Sequence, residues 1–168
     1  DVDDVALAQA LAPALAHGEI TVSYQPIIDL ATGRLHTLEA LARWAPEDRP
    51  VPPEVFVRVA ESCRLIDPLF RLVLADACAQ LARWTAMPGG SDLRVAVNIT
   101  PSQLASRELP VMVAHALARH ALPGDQLCLE ITETERLEDT MTSREVCTEL
   151  RTLGVHLALD DFGTGQST

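Results

Sequence analysis

The chain has 168 residues, 48% of them hydrophobic and 22% charged, which supplies one sizeable core and therefore one domain or most of one. Its formal charge of -11 excludes non-specific binding along a nucleic acid polymer, because no basic stripe exists to neutralise a run of phosphates. No stretch reaches the roughly 18 to 20 uninterrupted apolar residues of a membrane span, and the opening Asp1-Val2-Asp3-Asp4 lacks the basic start of a secretory signal, so a cytoplasmic segment is expected, one whose parent protein is free to be membrane-tethered.

In chain order, apolar periodicity predicts a helix over about 3–16, closed by Gly18. Strands follow at about 20–28 and 34–43, joined by the turn Asp29 to Gly33. Pro53 opens a helix to about Cys63, and Pro68 stands at the start of a longer one ending near Ala86, which Pro88-Gly89-Gly90 breaks. A strand at 93–98, helical turns from Pro101 to about Arg119, a strand at 126–131, a helix around 140–152 ended by Gly154 and a strand at 155–160 complete the reading. Cys63, Cys78, Cys128 and Cys147 form no CxxC pair and sit among apolar or helical neighbours, as reduced, buried small hydrophobes do. The five histidines show no ligand spacing, and all thirteen basic residues are arginine, so the chain has no lysine to offer a mechanism.

Strands alternating with helices imply βαβ units and a mainly parallel sheet, either open and doubly wound or closed into a barrel. Polar residues favour the barrel. Asn98 ends Arg94-Val95-Ala96-Val97, Glu130 ends Leu127-Cys128-Leu129 and Asp160 ends Leu157-Ala158-Leu159, while Glu39 adds a fourth oxygen ligand from the strand Leu35 to Arg43. The carboxyl ends of a closed parallel barrel converge on one rim, whereas an open sheet spreads them along an edge. Four oxygen donors on one rim, with Asp161 adjacent and Gly163 and Gly165 hinging the loop beyond, suit Mg²⁺ or Mn²⁺, since zinc prefers imidazole and thiolate.

These same residues carry a resemblance. Tyr24-Gln25-Pro26-Ile27, Glu39-Ala40-Leu41-Ala42-Arg43-Trp44, Val97-Asn98-Ile99-Thr100-Pro101, Glu130-Ile131-Thr132-Glu133 and Asp160 to Gly165 follow, in order, the YQPI, EALxRW, VNxSP, ExTE and DDFGTG motifs. The chain therefore resembles the EAL domain of bacterial cyclic di-GMP phosphodiesterases over nearly its whole length. That resemblance implies an α/β fold, a TIM-like (β/α)8 barrel with an antiparallel first strand, hydrolysing cyclic di-GMP to the linear dinucleotide pGpG with two Mg²⁺ or Mn²⁺ ions. It implies that Glu39, Asn98, Glu130 and Asp160 hold one metal, that Asp160 and Asp161 are shared toward the second, and that Glu39, Asp160 and Asp161 are catalytic. Gln25 and Arg43 would contact the substrate, and Glu133 would brace the loop from Asp161 to Thr168.

Three positions depart from the family pattern: Thr100 replaces serine, Arg64 stands where glycine is frequent, and Gln166 stands where an aromatic residue commonly follows DDFGTG. The family also continues past this loop with further strands, a lysine near the attacking water, and more glutamate and glutamine positions. Residues 1–168 are accordingly expected to be the N-terminal portion of an EAL domain, a fragment with little or no hydrolysis of its own, the alternative being a non-catalytic cyclic di-GMP receptor or protein-interaction module. The resemblance also allows a homodimer near the DDFGTG loop and an upstream GGDEF or sensory domain.

Overall fold

A hairpin begins the sheet. The computed structural model describes residues 2–132 and 140–160, and within them β1 (Ile20–Ile28) pairs antiparallel with β2 (Leu35–Trp44), from Ile20 opposite Trp44 to Ile28 opposite Leu35. The turn between them is built by Asp29, whose Oδ1 accepts from the Thr32 backbone N–H at 2.7 Å and from Thr32 Oγ1 at 2.8 Å. Those two donors hold the Asp29 carboxyl below the usual carboxylate range. Gly33, at φ +67°, completes the reversal in a conformation that a side chain would disfavour.

Beyond the hairpin each strand is reached through helix. The helix α1 (Val2–His17) precedes β1; α2 (Pro53–Ser62) and α3 (Ile66–Thr85) carry the chain from β2 to β3 (Arg94–Ile99). The short α4 (Pro101–Leu104) and α5 (Glu108–Arg119) lead to β4 (Leu127–Thr132), and α6 (Met141–Thr152) leads to β5 (His156–Asp160). The sheet order is β1-β2-β3-β4-β5, parallel from β2 onward, so the antiparallel first strand expected from the resemblance is present. Among the described residues the sheet is not closed; β1 and β5 form its two ends.

One face of the sheet is packed with helices. Val95, Val97, Ile99, Leu127, Leu129 and Ile131 alternate along β3 and β4 onto that face and are buried with Phe56 of α2, Leu69, Phe70 and Leu74 of α3, Leu109 and Val113 of α5 and Leu150 of α6. Trp44 meets Phe56 edge to face at 6.1 Å, and Tyr24 meets Trp84 likewise at 4.8 Å. The Tyr24 hydroxyl donates to Asp76 Oδ1, and burial together with that carboxylate pushes its pKa up.

Helix ends show how local chemistry fixes the boundaries. At the end of α2 the Leu65 N–H donates to Ala60 O at 2.7 Å around Arg64, which is forced to φ 57°, and at the end of α6 the Val155 N–H donates to Leu150 O at 3.1 Å around Gly154 at φ 86°. The left-handed conformation explains why glycine is frequent at the position Arg64 occupies.

Two expectations need correction. The helical stretch 101–119 is two helices, because Thr100 caps α4 with a reciprocal Thr100–Gln103 capping box and the chain turns at Ala105 before α5 begins. Cys63 is exposed rather than buried, lying at the C-cap of α2, while Cys78 is buried and Cys128 and Cys147 are half-buried; all four thiols are free. Glu39 lies in the middle of β2, inside the strand expected over about 34–43.

Candidate functional site

The register gathers the predicted residues on the sheet face opposite the helices. Side chains alternate along a strand, and residues paired across a ladder share a face. Gln25 is opposite Glu39, Glu39 is level with Ala96, Asn98 with Glu130, and Glu130 with Ala158, so all these positions and Asp160 share one parity. Arg43 lies on the same face four residues beyond Glu39. Asn98, Glu130 and Asp160 fall within the last three positions of their strands. Glu39, although mid-strand, is the last but one residue of β2 paired with β3, where that ladder ends at Ala40 and Val97.

The set climbs across the sheet. From Glu39 to Asn98 the register advances two residues, and from Glu130 to Asp160 it advances two more. Each step is about 6.6 Å along a strand, the kind of stagger that strand tilt requires if residues of a barrel are to meet at one height.

Two of the candidates touch. Asn98 Nδ2 donates to Glu39 Oε1 at 2.8 Å. A carboxylate only accepts, so the Asn98 NH₂ is the end that faces Glu39. The small, fully buried Ala96, level with Glu39, leaves room for this approach. The other end of the amide, Oδ1, is buried and has no hydrogen-bond partner among the described residues. Buried polar oxygens are rarely left so, and an unpaired amide oxygen on a residue bonded to a carboxylate suits a hard cation.

Glu130 is half-buried, and Gln25 and Arg43 are exposed. Cys128, on the same face two residues before Glu130, has its thiol pushed up to about 11, chiefly by burial and secondarily by the Glu130 carboxylate, against the lowering effect of Arg94. Asp161 and Glu133 lie outside the described residues, as does the side chain of Asp160, so the contacts predicted for them are not part of this geometry. Among the described residues no three or more His, Cys, Asp or Glu side chains cluster as a metal site; the predicted set draws on an asparagine and on Asp160 and Asp161 to reach its number.

A cavity of about 600 Å³ opens beside Asn98, walled by Leu41 of β2, Val57 and Glu61 of α2, Ile66 of α3 and Gln103 of α4. Its polar wall was missed in the sequence. Ser102 Oγ donates to Glu61 Oε1 at 2.9 Å, and Gln103 Nε2 donates to Asp67 Oδ1 at 3.1 Å. The signal that marks it is Thr100-Pro101-Ser102-Gln103, a capping box with proline at the first helical position.

Comparison with known proteins places this geometry. The EAL domain family profile matches residues 8–168. The chain is 39% identical over 166 residues to the cyclic di-GMP phosphodiesterase NbdA of Pseudomonas aeruginosa, covering 98% of the chain and 21% of that protein. It is 37% identical to the oxygen sensor protein DosP of Escherichia coli, covering 96% of the chain and 20% of that protein. In structure it is similar to the PaMucR phosphodiesterase in its complex with c-di-GMP, at a TM-score of 0.86 and 35% identity, covering 96% of the chain and 66% of that one. The chain thus spans about a fifth of the length of curated relatives such as NbdA and DosP.

Proposed function

The chain belongs to the EAL domain family, and on that premise we propose that it is the N-terminal portion of an EAL domain, residues 1–168, serving the metal-dependent hydrolysis of cyclic di-GMP to pGpG. The observation that carries the reading is the Asn98–Glu39 contact with Asn98 Oδ1 left unpaired, on the sheet face that also holds Glu130 and Asp160. Glu39, Asn98, Glu130 and Asp160 would hold one Mg²⁺ or Mn²⁺, and Asp160 with Asp161 the second. Bound divalent cations supply Lewis acidity and an ionised water at neutral pH. Glu39, Asp160 and Asp161 are the catalytic carboxylates of this reading.

The rest of the work falls to the chain's own side chains. Arg43 offers a planar fork of donors to a phosphate oxygen pair, and Gln25, beside Glu39 across the hairpin, offers an amide to the nucleotide. Glu133 braces the segment from Asp161 to Thr168. The unclosed sheet supports the further proposal that residues 1–168 alone have little or no activity, the remaining strands lying in a longer polypeptide. A cytoplasmic placement of this segment belongs to the same proposal; among the described residues no helix is long and apolar enough to cross a membrane. DosP is a sensor of which this chain matches only a fifth, which supports an upstream sensory or GGDEF domain; a homodimer belongs to the same reading.

The test is nucleotide turnover by the native full-length protein with Mn²⁺ and with EDTA, beside its Glu39→Ala variant. Mn²⁺-dependent appearance of pGpG, reduced at least about 100-fold in the variant, is expected. Nucleotide bound tightly but never consumed, with no dependence on metal, would instead make the protein a receptor.

A further inference from the structure

We infer that Gln103 is a positioning residue for Asn98: its buried side-chain amide, held by Asp67, fixes where β3 ends and so where the free oxygen of Asn98 points. The inference rests on the function proposed above and concerns residues that have no role in it so far.

The ladders explain why such a device is needed. Pairing of β3 with β2 stops at Val97, one residue before Asn98, so the functional amide emerges where that ladder is running out. Pairing with β4 ends at Ile99. The next donor, the Thr100 N–H, is taken by Gln103 Oε1 at 3.2 Å. Gln103 is 2% exposed and Thr100 8%, so water does not substitute for that bond. The same amide is fixed at its other end, Nε2 donating at 3.1 Å to Asp67 Oδ1 in the first turn of α3.

A second thread runs in parallel. Thr100 Oγ1 and Ser102 Oγ are 2.7 Å apart, and Ser102 Oγ donates to Glu61 Oε1 of α2 at 2.9 Å. The exit of β3 is therefore bonded to both helices that wall the cavity beside Asn98. A cap for α4 alone would not need this, because four residues of helix are satisfied by the Thr100 side chain and the bond from Gln103 to Asp67 adds nothing to that helix. What the bond adds is a tie between β3 and α3. Residues that orient the ligands of a metal, without touching it, commonly govern its affinity.

The amide also allows a reversal experiment. Gln103→Glu keeps an oxygen for the Thr100 N–H but turns a second carboxylate oxygen toward Asp67, so the tie becomes a repulsion. Adding Asp67→Asn restores it with the direction reversed, the new amide donating. Asp67→Ala removes the tie from its more accessible end and keeps the question open to test if Gln103→Glu does not fold.

In the full-length protein, Mn²⁺ affinity by calorimetry and thermal midpoint are read together. Mn²⁺ binding is expected to weaken roughly 10- to 100-fold in Gln103→Glu and about 10-fold in Asp67→Ala, and to return to within about threefold of wild type in the double variant. Folded single variants that bind Mn²⁺ like wild type, or a folded double variant that recovers its midpoint but not its Mn²⁺ affinity, overturn the inference and leave the proposed function standing. A wild-type protein that binds no Mn²⁺ and consumes no cyclic di-GMP overturns the proposed function, and this inference with it.

Discussion

Asn98 and Glu39, 59 residues apart in the chain, meet at 2.8 Å, and the amide spends its nitrogen on the carboxylate while its oxygen stays unpaired. Asn98→Asp converts this bond into opposed carboxylates. In EDTA the variant is expected to lose about 1.5–3 kcal/mol of stability, the worth of a hydrogen bond to a charged group. Mn²⁺ is expected to raise its thermal midpoint more than that of wild type, since a further anionic ligand is then neutralised. Unchanged midpoints in EDTA would show that the contact does not matter to the fold.

Arg43 is exposed on the same face as Glu39, at the carboxyl end of β2, where it can reach a ligand without supporting the core. Arg43→Lys keeps the charge and removes the fork. Steady-state kinetics of the full-length protein are expected to show KM for cyclic di-GMP raised roughly 10-fold with kcat little altered, because a single ammonium cannot make the paired contact. A fall in kcat alone would place the guanidinium elsewhere in the reaction.

The end of α2 stores strain at Arg64, whose φ of 57° glycine adopts freely. Arg64→Gly is expected to stabilise the fold by about 0.5–1 kcal/mol, the relief exceeding the entropy that glycine loses on folding. Gly154→Ala should do the reverse by a similar amount: an added Cβ would meet nothing nearer than 3.5 Å, which leaves the φ of +86° as the cost. Urea unfolding of the two variants reads both signs.

Burial pushes the Cys78 thiol up to about 11 from an ordinary 9.0. At pH 8 only about one such thiol in a thousand is ionised, so iodoacetamide should modify the exposed Cys63 well before Cys78. The native state holds the Cys78 proton more tightly than the unfolded chain does. Stability from this group is therefore constant below about pH 9 and declines as the pH rises from there toward 11. Mass-resolved alkylation against pH checks the order, and early labelling of Cys78 would mean that the helix layer opens.

Much of the architecture was legible because local signals coincide with tertiary ones. Ile20 to Ile28 reads as a strand between Gly18 and the Asp29–Gly33 turn, and it is one. The point at which β2 parts from β3 was not legible, because alternation of side chains continues to Trp44 and does not reveal that pairing with β3 stops at Ala40. The candidate ligands were visible as polar residues interrupting apolar runs. Their support was not: Asp67 and Gln103 are 36 residues apart, each is ordinary in its own helix, and only folding makes the pair.

Because β1 runs antiparallel to β2, the turn at Asp29–Gly33 lies at the amino ends of the parallel strands, away from the rim that holds Asn98 and Asp160. The fully exposed Leu30 and its neighbours Ile28 and Leu35, at 50% and 43%, make that pole adhesive. This apolar patch thus lies at the pole opposite the candidate ligands, and an engineer can recode it without editing them.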